Sequence, residues 1–263
     1  MTTLDAVGGT FDFGRVVQRT FQVIGQNLGL FALCALVLVV APAFIGTLIG
    51  LKTQLAEQAF SPASLLGGLA AGVGGLILQG MVVHTVVARL NGRSVPFGDS
   101  LRAGARFMLP LLGLGIVQTL GVMVGFVLLF VPGLILAVMW AVSAPSMVVE
   151  ERGVFESLQR SRDLTRGHRW SIFGLLVVYT ILSMIVGGVV AGVGFAAGMS
   201  GVRGVPAGPL TTYTPMVVIS TFLSSLTNGF QGVLVAAGAA SIYYELRTTK
   251  EGVAPEQMAS VFD

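Results

Sequence analysis

The stretch FMLPLLGLGIVQTLGVMVGFVLLFVPGLILAVMWAVSAPSMVV, residues 107–149, runs for 43 residues without Asp, Glu, Lys or Arg. A helix rises about 1.5 Å per residue, and about 20 residues cross a 30 Å hydrocarbon layer. A single helix over this run would be about 65 Å long, so the run must fold back on itself. Val131-Pro132-Gly133 marks the place, because Pro stops a helix and Gly permits a tight reversal. Two membrane spans follow, at 107–130 and 134–149.

Working outward, residues 204–244 form a second charge-free run of 41 residues. The remaining apolar runs predict spans at 28–51, 64–88, 170–199 and 214–244. The fold class is all-α: a polytopic membrane protein with six transmembrane helices in three hairpins and amphipathic interfacial helices. Residues 1–263 read as one membrane domain, with a cytoplasmic amphipathic helix in 1–27 and a cytoplasmic tail at 245–263. The first apolar run is too long for a signal peptide, and no small-residue cleavage site follows it.

Composition supports this. The chain is 54% hydrophobic and 10% charged, against about 25% charged in soluble domains. That excludes a soluble enzyme, a nucleic-acid-binding domain and a disordered chain. The single cysteine, Cys34, excludes a disulfide framework and a Cys-based metal site.

The charges are placed asymmetrically. With six spans, Arg15, Arg19, Arg89, Arg93, Arg102, Arg106, Arg152, Arg160, Arg162, Arg166, Arg169, Arg247 and Lys250 share one side, and only Lys52 and Arg203 lie on the other. The positive-inside rule then puts both termini in the cytoplasm of a bacterial inner membrane. Eleven of the twelve acids fall on that side too, Glu57 excepted, and no large external domain is expected. Trp170, Tyr243 and Tyr244 are placed for an inner aromatic belt and Tyr213 for an outer one.

The segments before each hairpin rhyme: Phe11-Asp12-Phe13-Gly14-Arg15, Val95-Pro96-Phe97-Gly98-Asp99, and Val154-Phe155-Glu156-Ser157. So do the exits: Asn91-Gly92-Arg93-Ser94-Val95, Glu150-Glu151-Arg152-Gly153-Val154, and Lys250-Glu251-Gly252-Val253. A threefold repeat of amphipathic helix plus hairpin is the reading. In the first helix, with Thr10 placed to cap it, Phe13, Val16, Val17, Thr20, Phe21 and Ile24 form an apolar stripe suited to the inner leaflet. In the third segment Glu156 and Arg160 are spaced as an i, i+4 pair. Arg162, Arg166 and Arg169, at i, i+4, i+7 spacing, share one helix face.

Arg160, Arg162, Arg166, Arg169, Arg15 and Arg19 are therefore the candidate lipid-headgroup residues, with anionic phospholipids as partners. The plainer alternative is that these arginines only set topology. Gln79, Gln118, Asn228 and Gln231 lie near the middle of their spans and form a candidate polar cluster, either packing or lining a path. Ser220, Ser224, Asn228 and Gln231 recur at helical spacing and should face the bundle.

No nucleophile elbow, nucleotide loop or ligand-spaced histidine pair is present. His84 reads as a packing residue. The expectation is no catalytic residue, no metal, no cofactor and no nucleic-acid partner. Repeated G-x-x-x-G, as at Gly46–Gly50, Gly68–Gly72, Gly121–Gly125, Gly188–Gly192 and Gly194–Gly198, lets helix backbones approach, within one chain or between copies in a homo-oligomer.

Four stretches resemble a known family: the opening helix from Phe13 to Asn27, Trp140 to Pro145 with Val149-Glu150, Ser157-Leu158-Gln159-Arg160-Ser161-Arg162-Asp163-Leu164-Thr165-Arg166-Gly167-His168-Arg169-Trp170, and Ile242-Tyr243-Tyr244-Glu245-Leu246-Arg247 with Lys250-Glu251-Gly252. They resemble six-helix bacterial membrane proteins related to the membrane domain of glycerophosphodiester phosphodiesterases and to YciC-like inner-membrane proteins. The resemblance implies a membrane domain without catalytic residues of its own. The phosphodiesterase activity resides in a separate barrel of about 250 residues, which 245–263 does not supply. The expectation is a non-enzymatic, lipid-interacting or membrane-organising protein; a small transporter or permease component is the alternative.

Overall fold

The computed structural model describes residues 11–54, 62–202 and 215–252. Thr10, Glu57, Arg203, Tyr213 and the exit residue Val253 lie outside the described residues, and the side chains of Lys52 and of 193–202 are likewise not described. Among the described residues every element is helical: α1 Phe13–Gln26, α2 Leu28–Ala35, a π-helical turn Leu36–Val40, α3 Ala41–Gln54, α4 Pro62–Leu90, α5 Phe97–Leu128, α6 Phe130–Met139, α7 Ser143–Glu150, α8 Val154–Thr165, α9 Arg169–Val202 and α10 Pro215–Glu251. Six stretches of the described residues are long and apolar enough to cross a membrane: Leu28–Gly50, Pro62–Leu90, Phe97–Leu128, Phe130–Glu150, Arg169–Val190 and Val218–Glu251. The chain is an all-α, multi-pass membrane protein.

The hairpin of the deciding stretch closes differently from the expectation. α5 ends at Leu128, and Leu129 alone is extended. Pro132 lies in the first turn of α6, where its missing N–H needs no partner. Its ring excludes a helical carbonyl four residues back, which is Leu128, the last residue of α5. Gly133 is not the reversal point. A Cβ there would lie 2.6 Å from the Phe126 ring, so its role is close packing of α6 on α5.

Span four is also broken. Trp140 to Val142 interrupt it between α6 and α7. Ser161 of α8 bridges the gap, its Oγ donating to the Met139 carbonyl at 2.7 Å and accepting the Val142 N–H at 3.2 Å. A backbone break in an apolar layer needs such partners, because lipid offers none.

The chain packs as two units. Unit one comprises residues 1–28, 79–177 and 234–263. Its core contains Val82, Val86, Phe107, Leu111, Leu114, Met147, Leu164, Ile172, Ala240, Tyr243 and Leu246. Unit two comprises residues 29–78 and 178–233. Pro42 denies the Leu38 carbonyl its helical donor, and the π turn accommodates it. A side chain at Gly74 would overlap that Leu38 carbonyl. Gly46 and Gly67 meet face to face, a Cβ on either lying 2.5 Å from the other's Cα. Gly68, Gly72, Gly188 and Gly192 have nothing within 4 Å, so the described G-x-x-x-G pairs divide into packed and open ones.

That division is testable by thermal unfolding in detergent. Gly67→Ala forces backbone against backbone and lowers the midpoint, at a cost of about 1–3 kcal/mol for overpacking. Gly68→Ala meets open space and leaves the midpoint unchanged or slightly raised. Equal losses for the two variants would contradict the packing of α3 on α4.

Candidate functional site

The ionic residues of unit one collect around two carboxylates that α7 and α10 carry inward. Glu245 lies in the last two turns of α10 with its side chain 1% exposed. An ionised carboxylate so far from water requires cations. Arg15 reaches Oε1 at 2.9 Å and Arg19 reaches Oε2 at 2.5 Å. Both come from one face of α1, four residues apart, and the Arg19 guanidinium also lies 5.2 Å from the Tyr244 ring centroid. Asp12 caps α1 through the Arg15 N–H at 3.1 Å. The buried face of α1 is Val16, Thr20, Val23 and Ile24; Phe13 and Phe21 remain exposed.

The second carboxylate belongs to a closed ring of five side chains. The Arg160 Nε donates to Glu150 Oε1 at 2.9 Å, and its terminal nitrogen donates to Glu251. Glu251 accepts from Arg247 Nε at 2.9 Å. Arg247 donates to Tyr243 Oη at 3.2 Å, and Tyr243 donates back to Glu150 Oε1 at 2.8 Å. Arg152 adds a 2.6 Å contact to Glu150 Oε2. Burial works against the Arg160 charge, but the bonds from Glu150 and Glu251 hold its pKa above the ordinary guanidinium value. The ring ties the ends of α7 and α10 to the middle of α8.

This places the predicted headgroup residues in two groups. Arg15, Arg19 and Arg160 are committed to carboxylates of their own chain. Arg162 and Arg166 are exposed, Arg169 is half-buried, and none of the three has a carboxylate partner among the described residues. Nor do these three share one helix face. α8 ends at Thr165, and Gly167 turns the chain at φ 92° before α9 starts at Arg169. The expected Glu156–Arg160 pair is absent among the described ion pairs; Glu156 accepts the Gly153 N–H instead, at 3.3 Å. Tyr243 and Tyr244 are 0% and 4% exposed and form no aromatic belt, because one closes the ring and the other underlies Arg19. Trp170 is 85% exposed.

The amides divide between the two units. In unit one, Gln118 donates to the Trp140 carbonyl at 3.3 Å and accepts from Ser143 at 3.2 Å, so it seals the helix break. Gln79, half-buried, has no hydrogen bond of this kind. In unit two, Ser224 and Asn228 are exposed and Gln231 is half-buried, so this stripe does not face inward as expected. Among the described residues no group of three His, Cys, Asp or Glu side chains is placed to hold a metal.

Beside the ring lies a cleft of about 510 Å³, lined by His84, Asp99, Arg102, Arg106, Glu150 and Glu151, with Ala103, Phe107, Val148 and Val149 as its apolar part. Arg106 and Glu151 join across it in a bidentate pair, both bonds 2.9 Å. Sequence reading gave His84 only a packing role, because its neighbours in the cleft come from α5 and α7.

Residues 29–246 match the model of a domain of unknown function, DUF7847. The chain belongs to this family. The DUF7847 match includes Glu150, Arg160, Tyr243 and Glu245, and leaves α1, with Arg15 and Arg19, outside it. A UPF0259 membrane protein of Pectobacterium carotovorum is 28% identical over 123 residues, covering 47% of this chain and 49% of that protein. The match thus spans about half of that relative's length. No solved structure matches. The resemblance to bacterial membrane proteins therefore holds at that level, while neither match carries a link to glycerophosphodiester phosphodiesterases.

The Glu245 site predicts an asymmetry. Arg15→Gln with Arg19→Gln strands a buried carboxylate, and breaking such a pair costs about 3–5 kcal/mol. Glu245→Gln leaves two arginines that are 48% and 27% exposed and can turn to water, so it costs less. Combining all three substitutions restores part of the loss. Unfolding midpoints, together with protease sensitivity of α1, measure this; no recovery in the triple variant would refute the pairing.

Proposed function

We propose that this chain is a non-enzymatic inner-membrane protein whose charged end faces the cytoplasm and binds anionic phospholipid headgroups. The single observation that carries this reading is the contrast among its arginines. Arg15, Arg19 and Arg160 are neutralised by carboxylates, whereas Arg162 and Arg166, a few residues before Trp170 in the chain, stay exposed and without a carboxylate partner among the described residues. Each basic residue near an anionic surface adds about 1 kcal/mol of attraction. An exposed indole at the start of an apolar span suits the boundary between headgroup and acyl chain. Burial lowers the His168 pKa, as does the charge of Lys250, so His168 adds no cation to the patch at neutral pH.

A transport path, the alternative, has less support. Gln118 has its hydrogen bonds met by Trp140 and Ser143, as a packing amide does.

Native mass spectrometry in mild detergent tests the proposal by comparing retained phosphatidylglycerol with retained phosphatidylethanolamine. Arg162→Gln with Arg166→Gln should reduce phosphatidylglycerol adducts several-fold, with the wild-type difference shrinking as salt rises. Unchanged retention would defeat the headgroup reading. Orientation is tested separately by labelling cysteines placed at Lys52 and Arg89: modification of both from the same side would overturn it.

A further inference from the structure

The three helix exits that rhyme in sequence also share a backbone conformation. Gly92 after α4, Glu151 after α7 and Gly252 after α10 have φ of 76°, 50° and 59°. Left-handed backbone at a helix C-terminus is ordinary for glycine, and two of the three exits use it. Glu151 is the non-glycine residue with positive φ among the described residues. A side chain in that region is strained and persists where its surroundings require it. Here the surroundings are Arg106 and the cleft.

The electrostatics of the cleft are balanced. Glu150 is already satisfied by Arg152, Arg160 and Tyr243, which leaves four ionic groups toward the opening. Arg102 is 86% exposed and only loosely paired with Asp99 at 3.9 Å. Arg106 and Glu151 are 64% and 54% exposed. Two cations therefore face two anions. A purely anionic ligand would meet Asp99 and Glu151, and a purely cationic one would meet Arg102 and Arg106. Guanidinium forks match phosphate as they match carboxylate, so a phosphate can take the place of the Glu151 carboxylate on Arg106. The displaced carboxylate then becomes free for an ammonium group. The half-apolar lining of Ala103, Phe107, Val148 and Val149 suits a short hydrocarbon attachment, and the volume is within the range of small-ligand sites.

We infer that this cleft binds a zwitterionic amine–phosphate group, the phosphate on Arg102 and Arg106 and the ammonium on Asp99 and Glu151. It extends the lipid reading to a second site and stands without Arg162 and Arg166. The chemistry is shared by an aminophospholipid headgroup and by a soluble phosphoamine.

Full-length protein in detergent is titrated with dihexanoyl-phosphatidylethanolamine, dihexanoyl-phosphatidylglycerol and O-phosphoethanolamine, with binding read by calorimetry. Wild type should bind at least one zwitterion about tenfold more tightly than phosphatidylglycerol; the tighter of the two zwitterions names the source. Arg106→Gln should lose that binding by tenfold or more. Glu151→Gln should remove the preference and move it toward phosphatidylglycerol. Glu151→Gly should do the same while keeping or raising the unfolding midpoint, which separates lost recognition from lost folding. The inference fails if wild type shows no preference for a zwitterion, or if Arg106→Gln and Glu151→Gly bind as wild type does. Arg162→Gln with Arg166→Gln should leave this titration unchanged, so the two sites fail or stand separately.

Discussion

Charge needs either water or a counter-charge, and in this chain that requirement governs where the described ionic side chains lie. The spans are emptied of charge, so the arginines and carboxylates crowd together at the helix ends of one unit. There they cannot all reach water. Glu245, carried inward by α10, draws Arg15 and Arg19 and with them the whole of α1. Glu150 draws Arg152 and Arg160, and through Tyr243, Arg247 and Glu251 closes a ring across three helices. What is left outside these networks is informative, because an arginine with no carboxylate to neutralise it is available to something else.

The same scarcity of partners governs the backbone. A helix crossing oil satisfies itself, and each interruption must find a substitute. Pro132 sets where α5 stops, by excluding a helical carbonyl at Leu128. The gap between α6 and α7 is closed by hydroxyls and an amide, Ser161 from α8 and Gln118 from α5. Pro42 cannot give the Leu38 carbonyl its helical hydrogen bond, and Gly74 allows α4 to come against it. Polar residues in these spans therefore mend helices, and Gln118 illustrates why a mid-span amide is weak evidence for a pathway.

The repeat has a structural counterpart in the three left-handed exits and in the exposed Phe13, Phe97 and Phe155 at or near the starts of α1, α5 and α8. Against that regularity Glu151 is the departure: a carboxylate where the other exits have glycine, joined by two bonds to an arginine at the rim of a charged cleft. Departures from local rules are where function is expected.

Helicity, the number of apolar spans and the confinement of charge to one set of segments were legible in the residues alone, because they follow from hydrophobicity and length, which are local properties. Helix ends were legible to within a few residues, as the break at Leu129 rather than at Pro132-Gly133 shows. Which arginines are neutralised was not legible. Arg160 has a carboxylate at i−4, Glu156, yet it bonds Glu150 and Glu251, 10 and 91 residues away. Arg15 and Arg19 meet a partner more than 220 residues distant. Such pairs form only once α1, α7, α8 and α10 are packed together. The cleft has the same origin: α4, α5 and α7 each bring one part of it, and only their packing turns scattered charges into a site.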